Sequence, residues 1–154
     1  LNTLASALRL WSADARLISW YLGSLPKFYT DFPGSRLALT QTYRTPAQQQ
    51  VAALTGRSGF DGSTSFSLHQ VFPSAAIDLG VYDQQGNYIA DGTDSRYSWL
   101  GQAVVPGTFR WGGTFSKPDY DHVELLPVSR PDAAEVASGY ARYQAAVRAS
   151  GFLT

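Results

Sequence analysis

Helical periodicity brackets this chain at both ends, and the stretches between are too short and too interrupted for long helices. Near the start, Leu4, Leu8, Trp11, Ala15, Ile18 and Leu22 recur every three or four residues. That spacing predicts one amphipathic helix over 1–22, with Arg9 and Arg16 on its far side and Ser12 and Asp14 on its flanks. Gly23-Ser24-Leu25-Pro26 predicts its end. Near the other end, Val136, Tyr140, Tyr143 and Val147 mark one face of a closing helix. Ser129 and Asp132 suit its N-cap, Pro131 its first turn and Gly151 its stop.

The middle alternates. Arg36 to Tyr43 reads as a strand. Ala47 to Leu54 reads as a short helix, with Pro46 in its first turn and Gly56 after it. Residues 58–66 are a Gly/Ser loop. Ala75 to Tyr82 is a mostly apolar strand, 83–87 is turn chemistry, and Tyr88 to Ala90 is expected to return as a hairpin. Residues 91–120 show no regular pattern, and His122 to Leu126 reads as a strand. Trp11 and Trp99 are expected in the core. The order helix, strand, helix, strands, helix predicts an α+β fold with a small, mainly antiparallel sheet and flanking helices. A length of 154 residues suits one domain over 1–154. The chain starts at Leu1 and has no methionine, so trimming, processing or excision from a longer polypeptide is expected.

Lys plus Arg number 12, as do Asp plus Glu, so no strong field points to nucleic acid as a partner. With no cysteine, thiolate chemistry and disulfides are excluded. No apolar run approaches the ~20 residues of a membrane span, and no signal-peptide pattern is visible. A monomer is expected.

Only two histidines are present, His69 and His122. Two imidazoles, one carboxylate and an open position form a recurring catalytic zinc set. Asp78 is the best third ligand, because it interrupts the apolar run Ala75-Ala76-Ile77-Asp78-Leu79 and an unpaired carboxylate there would be costly. Spacing alone leaves another reading open, with Asp78 and both histidines facing solvent.

Four blocks carry a family resemblance. Ser67-Leu68-His69 with Ala75-Ala76-Ile77-Asp78 resembles the serine-x-histidine and alanine-x-aspartate signature of the zinc D-alanyl-D-alanine carboxypeptidase and L-alanyl-D-glutamate endopeptidase superfamily. Trp111-Gly112-Gly113 followed by Asp119-Tyr120-Asp121-His122 resembles the second block of its phage-endolysin branch. Upstream, Tyr43-Arg44-Thr45 with Gln48 and then Gly56-Arg57-Ser58 resemble two further elements. The resemblance runs from about residue 37 to 126. It departs at one place: eight residues separate His69 from Asp78 where the family has six, and Phe72-Pro73-Ser74 looks like the insertion.

The resemblance implies a hedgehog/DD-peptidase-like fold and one Zn²⁺ held by His69, Asp78 and His122. It implies Asp119 as general base and acid. The neighbouring Asp121 is expected to point away, as alternate strand residues do. Arg44 is the candidate for binding an oxyanion or substrate carboxylate. Ser67, Gln48 and Trp111 are candidates for substrate contact, and Arg57 for a structural role. The expected substrate is the L-alanyl-D-glutamate bond of peptidoglycan stem peptides. A D-alanyl-D-alanine carboxypeptidase or dipeptidase, and a non-catalytic cell-wall-binding or phage-tail domain, are the alternatives. The place of action would be the cell wall, as a phage-encoded or virion-associated lysin or in the bacterial envelope.

Overall fold

Ser12-Ala13-Asp14 breaks the N-terminal periodicity into two helices in the computed structural model, which describes residues 3–151. Helix α1 is Thr3–Trp11 and helix α2 is Ala15–Asp31. The break is stabilised from outside. Asp14 caps α2 by accepting from the Arg16 amide, and its own amide donates to the Ser74 carbonyl at 2.9 Å. The Ser74 amide donates to the Ser12 carbonyl at 2.9 Å. Ser12 Oγ lies 2.8 Å from Thr42 Oγ1. The expected apolar face is also wrong for α2: Ala15 and Leu22 are exposed, and Leu17, Tyr21 and Phe28 form the buried stripe, because the break at Ser12 to Asp14 resets the helix's orientation on the sheet.

Helix α2 also runs through the expected stop at Gly23 to Pro26 and ends at Asp31. Proline removes one helical hydrogen bond, and glycine is a poor helix former. Burial of Leu17, Tyr21 and Phe28 along one face outweighs both. Phe28 is fully buried and meets the Trp99 ring edge-on at 5.3 Å. Trp99 is thus in the core as expected. Trp11 is 38% exposed and lies at the rim against Phe72 and Tyr143.

Four strands make one antiparallel sheet in the order β1-β2-β4-β3. They are β1 Arg36–Gln41, β2 Ala76–Tyr82, β3 Phe109–Trp111 and β4 His122–Leu125. The α+β expectation holds. Side chains alternate between faces, and Leu37, Leu39, Ile77, Leu79, Val81, Val123 and Leu125 all join the core cluster with Leu17, Phe28 and Leu100. The intervening residues Asp78, His122 and Glu124 therefore share the opposite face. Asp78 sits directly beside His122 in the register.

Two elements lie in the stretch that showed no regular pattern. Helix α4, Ser95–Ala103, is capped by Asp94 and buries Tyr97, Trp99 and Leu100. Its Ser, Gly and Gln positions weaken the apolar signal. Strand β3 is too short to show alternation. The return after residue 87 is a single bridge between Tyr82 and Tyr88 rather than a hairpin strand. Helix α3, Pro46–Leu54, starts with a capping box made by Thr45 and Gln48. Helix α5, Ala133–Ser150, uses Asp132 as its cap with Glu135 completing the box, so Pro131 precedes the helix instead of entering it. Gly151 ends it at φ 71°, in the left-handed region.

Pro26 is exposed and only interrupts the hydrogen bonding of α2. Pro26→Ala is expected to stabilise the protein by about 1–3 kcal/mol, read as a rise in denaturation midpoint. An unchanged or lower midpoint would show that the fold needs the proline.

Candidate metal centre

His69 lies in a short 3-10 turn, Leu68–Gln70, opened by Ser67. Ser67 Oγ accepts from the His69 amide, and the Ser67 amide donates to Gln70 Oε1. His69 is thereby fixed on a rigid loop although its neighbours are flexible residue types. Asp78 and His122 come from the adjacent strands β2 and β4. His69 is 2% exposed and His122 8%.

Three atoms converge. Asp78 Oδ1 lies 3.1 Å from His69 Nε2 and 3.0 Å from His122 Nδ1, and the two nitrogens are 3.4 Å apart. A tetrahedral ion with bonds of about 2.1 Å has ligands about 3.4 Å apart, so the spacing suits one small cation. The outer hydrogen bonds settle which lone pairs point inward. His69 Nδ1 is 2.7 Å from the Thr42 carbonyl, which only accepts, so Nδ1 carries the proton and Nε2 is left as acceptor. His122 Nε2 is 3.1 Å from Glu124 Oε2, which leaves Nδ1 for the centre. Glu124 is 1% exposed and is held in turn by Arg110, whose Nε donates at 2.8 Å and whose Nη2 also contacts the carboxylate. Without a metal the only proton the three atoms can share is one on His122 Nδ1, and a cation bound between them would take its place. The donor set fits zinc.

Burial works against charge on both partners here. On His122 the hydrogen bonds to Asp78 and Glu124 overcome it and push the pKa up to about 10. On Asp78 the two imidazoles overcome it and hold the carboxyl well below the usual carboxylate range.

The centre opens into a cleft of about 1130 Å³. Arg44 lines it, with Nη2 3.8 Å from Asp78 Oδ2 and Nη1 donating to Gln49 Oε1 at 2.9 Å. The Arg44 amide donates to the His69 carbonyl at 2.7 Å, so both residues share one anchor. Asp119 lines the cleft and is exposed. Asp121 also lines it, against the expectation that it points away. The reason is local: the His122 amide donates to the Asp119 carbonyl, so residues 119–122 form a turn and strand alternation does not apply. Burial, the charge of Asp78 and a hydrogen bond with Asp119 push the Asp121 pKa up to about 8.

Ser67 and Gln48 line the cleft, but each is engaged in a cap: Ser67 on His69, and Gln48 Oε1 on the Thr45 amide. Trp111 does not line the cleft among the described residues. Its indole donates to the Tyr120 carbonyl and packs against the core. Gly112, beside it, has a specific role. A Cβ there would lie 2.3 Å from the Asp119 carbonyl oxygen and 2.9 Å from His122 Cβ, so the turn carrying both residues can settle only over a glycine.

The same fold occurs in a solved enzyme. The chain matches the crystal structure of the Serratia marcescens L-Ala D-Glu endopeptidase ChiX with a TM-score of 0.59 at 17% identity, over 79% of this chain and 86% of that one. No family model matches the sequence, and no curated protein matches it.

Sequence reasoning missed Thr42, Gln49, Arg110 and the task of Glu124. Glu124 had a visible signal, two residues after His122 on one strand. Thr42 acts through its backbone carbonyl, which no side-chain pattern reveals. Gln49 is fully buried, yet in Gln48-Gln49-Gln50 nothing distinguishes it.

Glu124→Gln keeps the shape and removes the charge that orients His122. Zinc affinity is expected to fall by about 10–100-fold, read by competition with a chromophoric chelator. Unchanged affinity would remove Glu124 from the centre. A raised His122 pKa also sets a sign: without metal the ring holds a proton at neutral pH, and binding must displace it. Zinc affinity should rise about tenfold per pH unit across the neutral range and level as pH nears 10. Calorimetry in buffers of different ionisation heat would detect the released proton.

Proposed function

We propose that this chain is a zinc-dependent peptidase that hydrolyses the L-alanyl-D-glutamate bond of peptidoglycan stem peptides. The observation that carries the reading is the convergence of His69 Nε2, Asp78 Oδ1 and His122 Nδ1 on one point at the floor of a peptide-sized cleft. The fold shared with an L-Ala D-Glu endopeptidase supports the choice of bond. The place of action would be the bacterial cell wall.

An amide is a poor electrophile with a poor leaving group. Zinc in such a set supplies Lewis acidity, polarising the carbonyl and making water nucleophilic near neutral pH. The remaining work falls to side chains. Asp119, exposed at the cleft and held by its own backbone turn over Gly112, takes the proton from the attacking water and returns it to the departing nitrogen. Asp121 is the less exposed of the two and interacts with Asp119 at the cleft, which makes it a partner of the base. Arg44 presents a fixed guanidinium beside Asp78 to the developing oxyanion. With a metal bound, His69 and His122 would serve as neutral ligands, because Thr42 and Glu124 hold the protons on their outer nitrogens.

Digestion of purified peptidoglycan with and without a chelator, followed by identification of the new termini, tests the reading. New alanine carboxyl termini that vanish with chelator and return with zinc are expected. New D-alanine termini would assign the D-alanyl-D-alanine activity, and no new termini would leave a wall-binding domain. Asp119→Asn should hold zinc normally and lose about 10²–10⁴-fold in turnover. Normal turnover in that variant would mean that the base has been wrongly named.

A further inference from the structure

Five cationic side chains line the cleft: Arg44, Arg57, Arg110, Lys117 and Arg130. Arg110 is committed to Glu124, and Arg44 to Gln49 and Asp78. Away from the cleft, Arg16, Lys27 and Arg96 sit beside Asp14, Asp31 and Asp94. Arg57, Lys117 and Arg130 have no carboxylate within ion-pair distance among the described residues. Asp78, Asp119, Asp121 and Glu124 line the same cleft, so its cations outnumber its acids by one, and Arg57, Lys117 and Arg130 are the cations left without a paired acid among the described residues.

Arg130 is built into place. Its guanidinium lies over the Phe60 ring, 4.3 Å from the centroid. Stacking uses the face of the guanidinium and leaves its in-plane N–H donors for a planar, bidentate acceptor. The platform is itself anchored, because buried Gln49 donates to the Phe60 carbonyl at 2.6 Å and to Ser58 Oγ at 2.9 Å while accepting from Arg44. One amide therefore fixes the distance between the Arg130 platform and the arginine beside the metal centre. Arg57 joins from the same loop, with its Nε donating to Thr55 Oγ1 at 3.0 Å.

We propose that Arg130, stacked on Phe60, forms with Arg57 a carboxylate-binding subsite that selects peptides bearing a free carboxylate next to the bond to be cut. The proposal rests on the peptidase reading for the identity of that peptide. In a stem peptide, the D-glutamyl residue after the scissile bond is joined onward through its side chain and leaves its own carboxylate free. Carboxylate is preferred over a neutral amide because the guanidinium offers only donors, and a charged acceptor roughly doubles the strength of each hydrogen bond.

The test uses two stem tripeptides that differ only in that carboxylate, free or amidated, titrated calorimetrically into zinc-loaded Asp119→Asn protein so that hydrolysis does not interfere. The free form is expected to bind about 10-fold or more tightly. Arg130→Gln and Arg57→Gln should each cut that preference severalfold, and together abolish it. Arg36→Gln, which removes an arginine stacked over Tyr82 away from the cleft, should leave it intact. Equal affinity for the two peptides, or a preference that survives the double variant, would overturn the subsite. Hydrolysis by the unaltered protein is measured beside it. Cleavage without an arginine-dependent preference removes the subsite and keeps the peptidase. An arginine-dependent preference without cleavage keeps the subsite and removes the peptidase.

Discussion

Asp78 is a carboxylate on a central strand, and the cost of placing it there organises its surroundings. The strand is flanked on both sides, by β1 and β4, and its other face is core. A lone carboxylate in such a position would be strongly destabilising. Each oxygen is instead answered: Oδ1 by the His122 imidazole or by an ion shared with both histidines, and Oδ2 by the Arg44 guanidinium. Those groups need partners of their own, and Thr42, Glu124, Gln49 and Arg110 supply them. The polar face of the sheet is thus a connected network in which most members are buried, and removal of one leaves another unsatisfied.

The sequence was informative where chemistry and periodicity coincide. Asp78 stood out because it interrupts an apolar strand, and the histidines because there are no others. The strands β1, β2 and β4, the helix α3 and the closing helix were readable from alternation and caps. What stayed hidden depends on contacts across the chain. The break at Ser12 to Asp14 exists because Ser74 hydrogen-bonds there, sixty residues away in sequence on a rough count. The continuation of α2 through Pro26 depends on burial of Phe28, which local propensity does not register. Asp121 was misplaced because a turn replaced an expected strand. Trp111, a candidate for the substrate wall, proved to be the ring against which Gly101 and Gly113 pack.

The extra residues between His69 and Asp78 have a clear destination. Phe72 meets Trp11, Tyr43 and Tyr143, and Ser74 pairs with the junction of α1 and α2. The insertion therefore turns away from the ligands and ties the N-terminal helices, the end of β1 and helix α5 together. Ser67 and the Thr42 carbonyl still position His69. Added length here is absorbed by aromatic packing behind the loop, and the ligand atoms remain within a single ion's reach.

The pairing of Asp78 with His122 across β2 and β4 makes the centre a proofreader of its own sheet. Side chains alternate with a period of two, so a slip of one residue between those strands exchanges every inward and outward position. Ile77 would then face the cleft and Asp78 the core, and no third group would meet the histidines. Only the correctly registered chain can gain the stability of a bound ion, and misaligned forms are left without that reward.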